Sequence, residues 1–195
     1  MNWLLKYLYR RRAIYYSSLI KDYVKKNEKV LDVGAGSGYI AEILSKKAKV
    51  ILLDVKDYNQ TSLPLRLYDG KKFPFKDNSF DTALILTVLH YASEKEKFLK
   101  EVKRISNKII IIDDVYKTRF GKFIVNFNDA IISNTVGVFA KFNYNTDAEL
   151  KRIFQNLNLK LVVDKDSINF IRTAKQKLYV LERKIKNQKS KSKNI

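Results

Sequence analysis

The stretch Val30-Leu31-Asp32-Val33-Gly34-Ala35-Gly36-Ser37-Gly38-Tyr39 joins an apolar run, a glycine-rich turn and the start of a predicted helix. The apolar run is typical of a buried strand, and glycine lets the backbone turn tightly and approach a ligand. The free N–H groups at the start of the following helix can receive an anionic group. This order predicts a site for a nucleotide-type cofactor, although a glycine-rich turn alone is a weak signal.

Two residues indicate which kind of cofactor fits this turn. A dinucleotide-binding fingerprint needs a third glycine where the helix packs on the strand, and Tyr39 occupies that position. Asp32 ends the strand with a carboxylate, which suits a cationic group better than a pyrophosphate. The pattern therefore favours a ligand that carries an ammonium, a carboxylate and a ribose.

The residues Asp32, Gly34, Gly36 and Gly38 resemble the first motif of class I S-adenosylmethionine-dependent methyltransferases. Three further segments match this family in the expected order: Val50 to Asp54, Asp69 to Phe75, and Phe80 to Tyr91. The match extends over residues 30–115 and is nearest to the methyltransferases that include the quinone-biosynthesis enzymes. Four matches in order are far more specific than one glycine-rich turn.

The resemblance implies S-adenosylmethionine as the cofactor and assigns a role to each part of its site. Asp32 would lie near the methionine ammonium, Asp54 would hold the ribose, and Asp69 would meet the adenine amino group. The residues expected to contact the cofactor are Asp32, Gly34, Ala35, Gly36, Gly38, Asp54, Val55, Asp69, Gly70, Leu86 and Thr87. One departure is the segment 55–68, which contains Pro64 and is short for the full helix that the family usually places there.

Alternating strand and helix patterns predict a parallel sheet with helices on both faces. Helical patterns occupy 3–26, 38–47, 94–105 and 147–157, and strand patterns occupy 30–34, 49–54, 65–68, 81–88, 108–113, 159–164 and 176–182. The last two strands are too close in sequence for a helical crossover, so we expect them to pair antiparallel. The predicted fold is α/β: a Rossmann-like, doubly wound, seven-stranded and mostly parallel sheet with the last strand antiparallel, in a single domain.

We expect an N-terminal helical cap at 1–29, the cofactor-binding domain at 30–183 and a basic, disordered tail at 184–195. An insert at about 114–145 follows the fifth strand and is rich in aromatic residues. These are Tyr116, Phe120, Phe123, Phe127, Phe139, Phe142 and Tyr144. Because ligands of open α/β sheets bind beyond the carboxyl ends of the strands, we expect the insert to select the substrate.

Composition excludes several classes of site. The 195 residues contain no Cys and one His, which removes disulfides, thiolate zinc sites, a cysteine nucleophile and multi-histidine metal sites. No apolar run approaches the ~20 residues of a membrane span, and the order of charges near the N-terminus is the reverse of a secretory signal. We therefore predict a cytoplasmic protein without a metal centre.

The chain is strongly basic, with a formal net charge of +19. Such an excess fits a nucleic acid or an anionic membrane surface as partner, and it equally fits a biased composition in which the charges are only solvated. Basic residues cluster at Arg10 to Arg12 and in the tail. Trp3, Tyr7 and Tyr9 with these arginines would suit a helix that touches a membrane surface, whereas a core-packing helix is the favoured interpretation.

Methyl transfer from a sulfonium needs little from the protein beyond alignment, because the leaving group departs neutral. A general base is required only for protonated acceptors, and the candidates are His90, Asp113, Asp114 and Tyr116. Each has a simpler interpretation, since His90 could be a packing residue and an aspartate could cap a turn.

The acceptor is the least determined feature. Leu86-Thr87-Val88-Leu89 lacks the Asn/Asp-Pro-Pro-aromatic signature of methylases that act on amino groups, and the missing cysteine excludes the covalent route to carbon-5 of pyrimidines. Our leading hypothesis is a small-molecule or lipid-like acceptor, methylated on oxygen or carbon. Two alternatives are an RNA methyltransferase whose basic termini hold RNA, and a non-catalytic module that binds the cofactor or a partner.

Overall fold

A computed structural model of the chain describes residues 3–116, 143–168, 170 and 175–184. Four α-helices are present in this part of the chain: α1 (Trp3–Ile20), α2 (Tyr39–Leu44), α3 (Lys95–Ile105) and α4 (Asp147–Asn156). The strands are β1 (Lys29–Val33), β2 (Lys49–Asp54), β3 (Leu65–Leu67), β4 (Phe80–Leu86), β5 (Ser106–Asp114), β6 (Leu159–Ile168) and β7 (Lys175–Arg183). Short 3-10 helices follow α1 at Lys21–Tyr23 and β4 at Leu89–Tyr91. Most of the aromatic insert and the basic tail from residue 185 onward lie outside the described residues.

The strands form one sheet in the order β3-β2-β1-β4-β5-β7-β6. Neighbouring strands from β3 to β5 in this order are parallel, and β7 is antiparallel to both β5 and β6. The predicted fold class is therefore confirmed, including the reversed last strand. The order of the strands reverses at β1, because β2 and β3 lie on one side of it and β4 on the other. Open α/β sheets bind ligands at such a point, in the crevice at the carboxyl ends of the strands.

The central strands are apolar throughout because both of their faces are covered. In β5, Ile109 and Ile111 pack with α3 and α4, whereas Ile110 and Ile112 pack with α1 and α2. Side chains alternate between the two faces of a strand, so neighbouring residues of β5 belong to different cores. This alternation continues to the end of the strand, where the polar residues begin.

The N-terminal cap predicted at 1–29 is a helix that ends at Ile20 and continues as a 3-10 turn. Its second half packs inward through Ala13, Tyr16, Ser17 and Ile20, all of which are buried. The side chain of Tyr16 exchanges hydrogen bonds with Gln176 of β7 at 3.1–3.2 Å, which fixes the helix over the strand ends. The favoured interpretation, a core-packing helix, holds for this inner face.

The connection from β2 to β3 contains no helix, in agreement with the shortened crossover that the sequence predicted. Asn59 organises it, accepting hydrogen bonds from the Thr61 N–H and hydroxyl groups and donating one to the Leu63 carbonyl. The Gln60 N–H donates to the Ser37 carbonyl at 3.1 Å. These bonds replace a helix and hold the connection against the glycine-rich turn.

Candidate functional site

The glycine-rich turn after β1 is built from left-handed backbone conformations. Gly34 has φ +68°, and a Cβ atom at this position would lie 2.6 Å from Cγ2 of Val88, which follows β4. Gly36 has φ +53°, and a Cβ atom there would meet nothing within 4 Å. Gly34 is thus needed for close packing between the turn and the β4 exit, whereas Gly36 faces open space that a ligand can fill.

The carboxylate of Asp54 connects the end of β2 to this turn. Its Oδ2 atom accepts a hydrogen bond from the Gly36 N–H at 2.9 Å, and Oδ1 accepts one from the Val55 N–H at 2.7 Å. A third, longer bond of 3.5 Å comes from the Lys56 N–H to Oδ1. A carboxylate has about four lone-pair sites, so these bonds leave capacity for a further donor. The hydroxyl groups of a ribose are suitable donors, which fits the role expected of Asp54.

Asp32 is buried at the end of β1, between Asp54 and the exit of β4. Burial first, and then the negative charge of Asp54, raise the pKa of Asp32 to about 7. Because the two carboxylates repel each other, ionisation of both is unfavourable unless a cation lies near them. The ammonium group of the methionine moiety would supply that cation, so the donor set fits S-adenosylmethionine.

The residues expected at the adenine end lie side by side at the exits of β2 and β3. A Cβ atom on Gly70 would be 3.7 Å from Cγ1 of Val55, whose side chain is 59% exposed. The Oδ1 atom of Asp69 accepts hydrogen bonds from the N–H groups of Lys71 and Lys72, and these bonds lower the pKa of Asp69. Val55 therefore offers an apolar surface next to a turn that carries the ionised carboxylate of Asp69.

Tyr68 is a member of this region that sequence reasoning missed. Burial, followed by the charges of Asp54 and Asp69, raises the pKa of Tyr68 to about 12. Its hydroxyl group therefore keeps its proton at neutral pH and can donate a hydrogen bond. The Tyr68 ring also packs edge-on against Phe73, with centroids 5.2 Å apart.

Thr87, predicted to contact the cofactor, has the left-handed conformation with φ +59°. A β-branched residue rarely adopts this conformation, and three contacts hold it there. The Thr87 N–H donates to the Ile112 carbonyl at 2.7 Å, its hydroxyl donates to the Leu86 carbonyl at 2.7 Å, and the Arg12 guanidinium donates to its Oγ1 atom. Strain of this kind is typical of functional sites.

Arg12 brings a positive charge from α1 to the carboxyl end of β4. Its guanidinium lies 5.3 Å from the centroid of the Tyr16 ring and donates to the neutral hydroxyl of Thr87. In the described part of the chain, no carboxylate forms an ion pair with Arg12. A guanidinium has five N–H donors, so this one is suited to bind a carboxylate of the ligand.

Of the candidate catalytic residues, the structure brings His90 and Asp113 together. His90 Nδ1 lies 2.5 Å from Asp113 Oδ1, and both side chains are buried. The His90 ring stacks on the Tyr144 ring, with centroids 4.7 Å apart. The backbone carbonyl of His90 accepts a hydrogen bond from the Asn143 N–H at 2.8 Å. Tyr144 belongs to the predicted insert, so the end of the insert reaches this pair.

The other two candidates lie apart from this pair. Asp114 follows Asp113 on β5 and therefore points to the α1 side of the sheet. There burial is the main cause that raises the pKa of Tyr16, and the charge of Asp114 adds to it. Tyr116 lies beyond the strand, where its N–H donates to the Asn145 carbonyl at 3.4 Å.

Comparison with known proteins tests the family. A family model described as a methyltransferase domain matches residues 31–108. An uncharacterized protein of Methanocaldococcus jannaschii is 31% identical over 113 residues, which cover 54% of this chain and 55% of that protein. The ubiquinone/menaquinone biosynthesis C-methyltransferase of Cupriavidus taiwanensis is 29% identical over 111 residues, which cover 46% of this chain and 44% of the enzyme.

A solved S-adenosylmethionine-dependent methyltransferase from Aquifex aeolicus has the same fold, with a TM-score of 0.62 and 21% sequence identity over 85% of this chain and 88% of that one. Residues 31–108 thus match the methyltransferase-domain model, as the resemblance to class I S-adenosylmethionine-dependent methyltransferases predicts. This match agrees with the predicted family, class of enzyme and cofactor. The chain spans about half the length of the two relatives named above. The acceptor and the roles of single residues therefore stay predictions.

Among the described residues, each helix is too short or too polar to span a bilayer.

The two glycines of the turn predict opposite outcomes for stability and binding. Gly34→Ala should lower the free energy of unfolding by about 3 kcal/mol, because the new methyl group collides with Val88 and the left-handed conformation is strained. Gly36→Ala should cost about 1 kcal/mol and still weaken S-adenosylhomocysteine binding at least tenfold. Urea denaturation and titration calorimetry measure the two effects. Unchanged affinity in Gly36→Ala would show that the ligand does not approach this turn.

The pKa of Asp32 predicts that cofactor binding depends on pH. The ligand ammonium favours the ionised carboxylate, so the affinity for S-adenosylhomocysteine should rise about tenfold per pH unit up to about pH 7 and then level off, with a proton released on binding. In the free protein the pKa of Asp32 is above its unfolded value. Ionisation therefore lowers the free energy of unfolding as the pH rises between about 4 and 7.

Calorimetry in buffers of different ionisation enthalpy counts the released protons. Asp32→Asn should bind more weakly and lose the pH dependence, whereas the exposed Glu96→Gln should behave like the wild type. A pH dependence that survives in Asp32→Asn would assign the proton to another group.

Arg12 is predicted to bind the carboxylate of the methionine moiety. Arg12→Ala should weaken S-adenosylhomocysteine binding by about 10- to 100-fold, the range expected for a charge-assisted hydrogen bond. Arg11→Ala, which removes the same charge from the exposed side of the same helix, should leave the affinity unchanged. Methylthioadenosine lacks the carboxylate and should bind both variants like the wild type. Equal weakening of methylthioadenosine by Arg12→Ala would mean that Arg12 acts only on the fold.

Proposed function

We propose that the chain is a cytoplasmic enzyme that transfers the methyl group of S-adenosylmethionine to oxygen or carbon of a small or lipid-like acceptor. We further propose that His90 removes a proton from this acceptor. The observation that carries the second proposal is the buried contact of 2.5 Å between His90 and Asp113. His90 lies beyond the carboxyl end of β4, three residues along the chain from Thr87, and Asp113 is the last residue but one of β5.

The contact with Asp113 gives His90 the properties of a general base. When a carboxylate accepts the Nδ1 proton of a histidine, it fixes the tautomer in which Nε2 carries the lone pair, and Nε2 is then the atom that can accept a proton. The same carboxylate stabilises the imidazolium that forms, as in other histidine–aspartate pairs. Asp113 is therefore a positioning residue, and Nε2 of His90 is the atom that would meet the acceptor.

A base at this position indicates the type of acceptor. Sulfonium, methyl group and acceptor must lie in line, and this alignment supplies much of the rate acceleration. A phenol or an enol must also lose a proton, before or after methylation, and a nearby base assists that step. An acceptor with an acidic hydroxyl group therefore makes use of His90.

The surroundings of His90 and the relatives agree with an aromatic acceptor. The rings of Tyr91 and Tyr144 lie against the imidazole, with centroid distances of 4.2 and 4.7 Å, and aromatic side chains are common walls of ligand pockets. The curated relatives include C-methyltransferases of ubiquinone and menaquinone biosynthesis. Methylation of a quinol-like ring is therefore the specific form of the proposal that these observations support best.

Methyl-labelled S-adenosylmethionine tests the acceptor class. We expect that the purified protein, incubated with a cell extract, places label in the organic-soluble or small polar fraction. Label in nuclease-sensitive RNA would overturn the proposal in favour of an RNA methyltransferase that uses the basic termini. Cofactor binding without any labelled fraction would favour the non-catalytic module.

Once an acceptor is found, two variants test the base. His90→Ala and Asp113→Asn should lower kcat by about 10²- to 10⁴-fold and leave the affinity for S-adenosylhomocysteine unchanged. The wild-type rate should rise with pH through the titration of the base, and the His90→Ala rate should lose this rise. Glu96→Gln serves as the control. A parallel loss of thermal stability and cofactor affinity would instead assign the pair a structural role.

A further inference from the structure

Helix α1 has a second apolar face, which points away from the sheet. We define the outer face by Trp3, Tyr7, Leu8 and Ile14, whose side chains are 78%, 53%, 44% and 60% exposed. At 3.6 residues per turn, the centre of this face lies roughly 150° around the helix from the centre of the buried face. Single exposed hydrophobic residues are common, but several on one face of one helix mark a contact surface.

The charges around the outer face restrict what can cover it. Residues 3–20 contain no Asp or Glu, and Lys6 and Arg11 are exposed on the same helix. Arg10 lies 4.6 Å from the centroid of the Tyr39 ring and 3.7 Å from Glu42, so it points toward α2. The partner must accept apolar and aromatic side chains together with positive charge, and the whole chain adds a net charge of +19.

We propose that the outer face of α1 docks on a membrane surface that contains anionic lipids. Interfacial helices insert leucine and aromatic side chains by about 5–10 Å and keep basic residues at the level of the headgroups. Trp and Tyr prefer this boundary because their rings are apolar and their N–H or O–H groups are polar. A second copy of the chain fits less well, because two outer faces in contact would bring the Arg11 residues of both copies together.

The position of α1 connects this surface to the cofactor site. Arg12, on the inner side of the helix, contacts Thr87 at the end of β4. Docking through the outer face would therefore place the strand ends next to the bilayer, where a lipid-like acceptor could enter. This consequence rests on the proposed function, whereas docking itself can be tested without any acceptor.

The chain contains a single tryptophan, Trp3, which serves as a built-in probe of the outer face. We expect its fluorescence to shift to shorter wavelength with vesicles of phosphatidylcholine and phosphatidylglycerol, and to be quenched by brominated lipid. Vesicles of phosphatidylcholine alone should bind at least tenfold more weakly, and added salt should weaken binding to the anionic vesicles. Co-sedimentation gives the partition coefficients.

Paired variants separate docking from a general effect of charge or hydrophobicity. Tyr7→Ser/Leu8→Ser should lower the partition coefficient at least tenfold, whereas Leu161→Ser/Val162→Ser, which removes exposed apolar groups from β6, should not. Lys6→Glu/Arg11→Glu should likewise weaken binding far more than Lys100→Glu/Arg152→Glu, which makes the same change of charge elsewhere.

Three results would overturn docking. They are the absence of vesicle binding, equal loss in the test and control variants, and a dimer in solution that buries Trp3 without lipid. Because these measurements contain no acceptor, a failure here leaves the methyl-transfer assay unaffected. A failure of that assay likewise leaves vesicle binding unaffected.

Discussion

The site depends on the way the glycine-rich turn is fastened to the end of β2. The N–H group of Gly34 donates to the Leu53 carbonyl at 2.7 Å and continues the β1–β2 ladder by one residue beyond the strand. The Gly36 N–H then donates to the Asp54 carboxylate at 2.9 Å. The turn is thereby held in shape before any ligand arrives, and its open side faces the crevice. Such preorganisation lowers the free-energy cost of binding.

This arrangement gathers negative charge in the free protein. Asp32 and Asp54 lie at adjacent strand ends. Burial is the main cause that raises the pKa of Asp32, and repulsion by the Asp54 carboxylate adds to it. The charge is unfavourable for the fold, yet it favours a ligand that carries an ammonium next to a ribose. Arg12, at the exit of β4, supplies the complementary positive charge for a carboxylate. Asp32 and Arg12 thus match the ammonium and the carboxylate of an amino acid.

Local sequence signals were sufficient for most of the fold. Apolar runs and the turn at Gly34 to Gly38 predicted the strands, and the helical pattern at 147–157 predicted α4, which begins with a capping box of Thr146 and Glu149. The contacts of the candidate site were less predictable because they join distant residues. Arg12 and Thr87 are 75 positions apart, and nothing local distinguishes Arg12 from its two arginine neighbours. Likewise, His90 could be proposed as a base, but its pairing with Asp113 rather than Asp114 depends on the register of β4 and β5.

Helix α1 shows how one element can serve two surfaces. A helix that only covers a core needs a single apolar stripe, whereas α1 has apolar residues on both sides and contains no acidic residue. Arg12 reaches the site from the inner side, and the outer face is the one we propose to meet lipid. If docking shifts the helix, it must also shift the Arg12–Thr87 contact, and the two binding events are then linked. Linkage is reciprocal: any factor by which the membrane tightens cofactor binding is also the factor by which the cofactor tightens membrane binding.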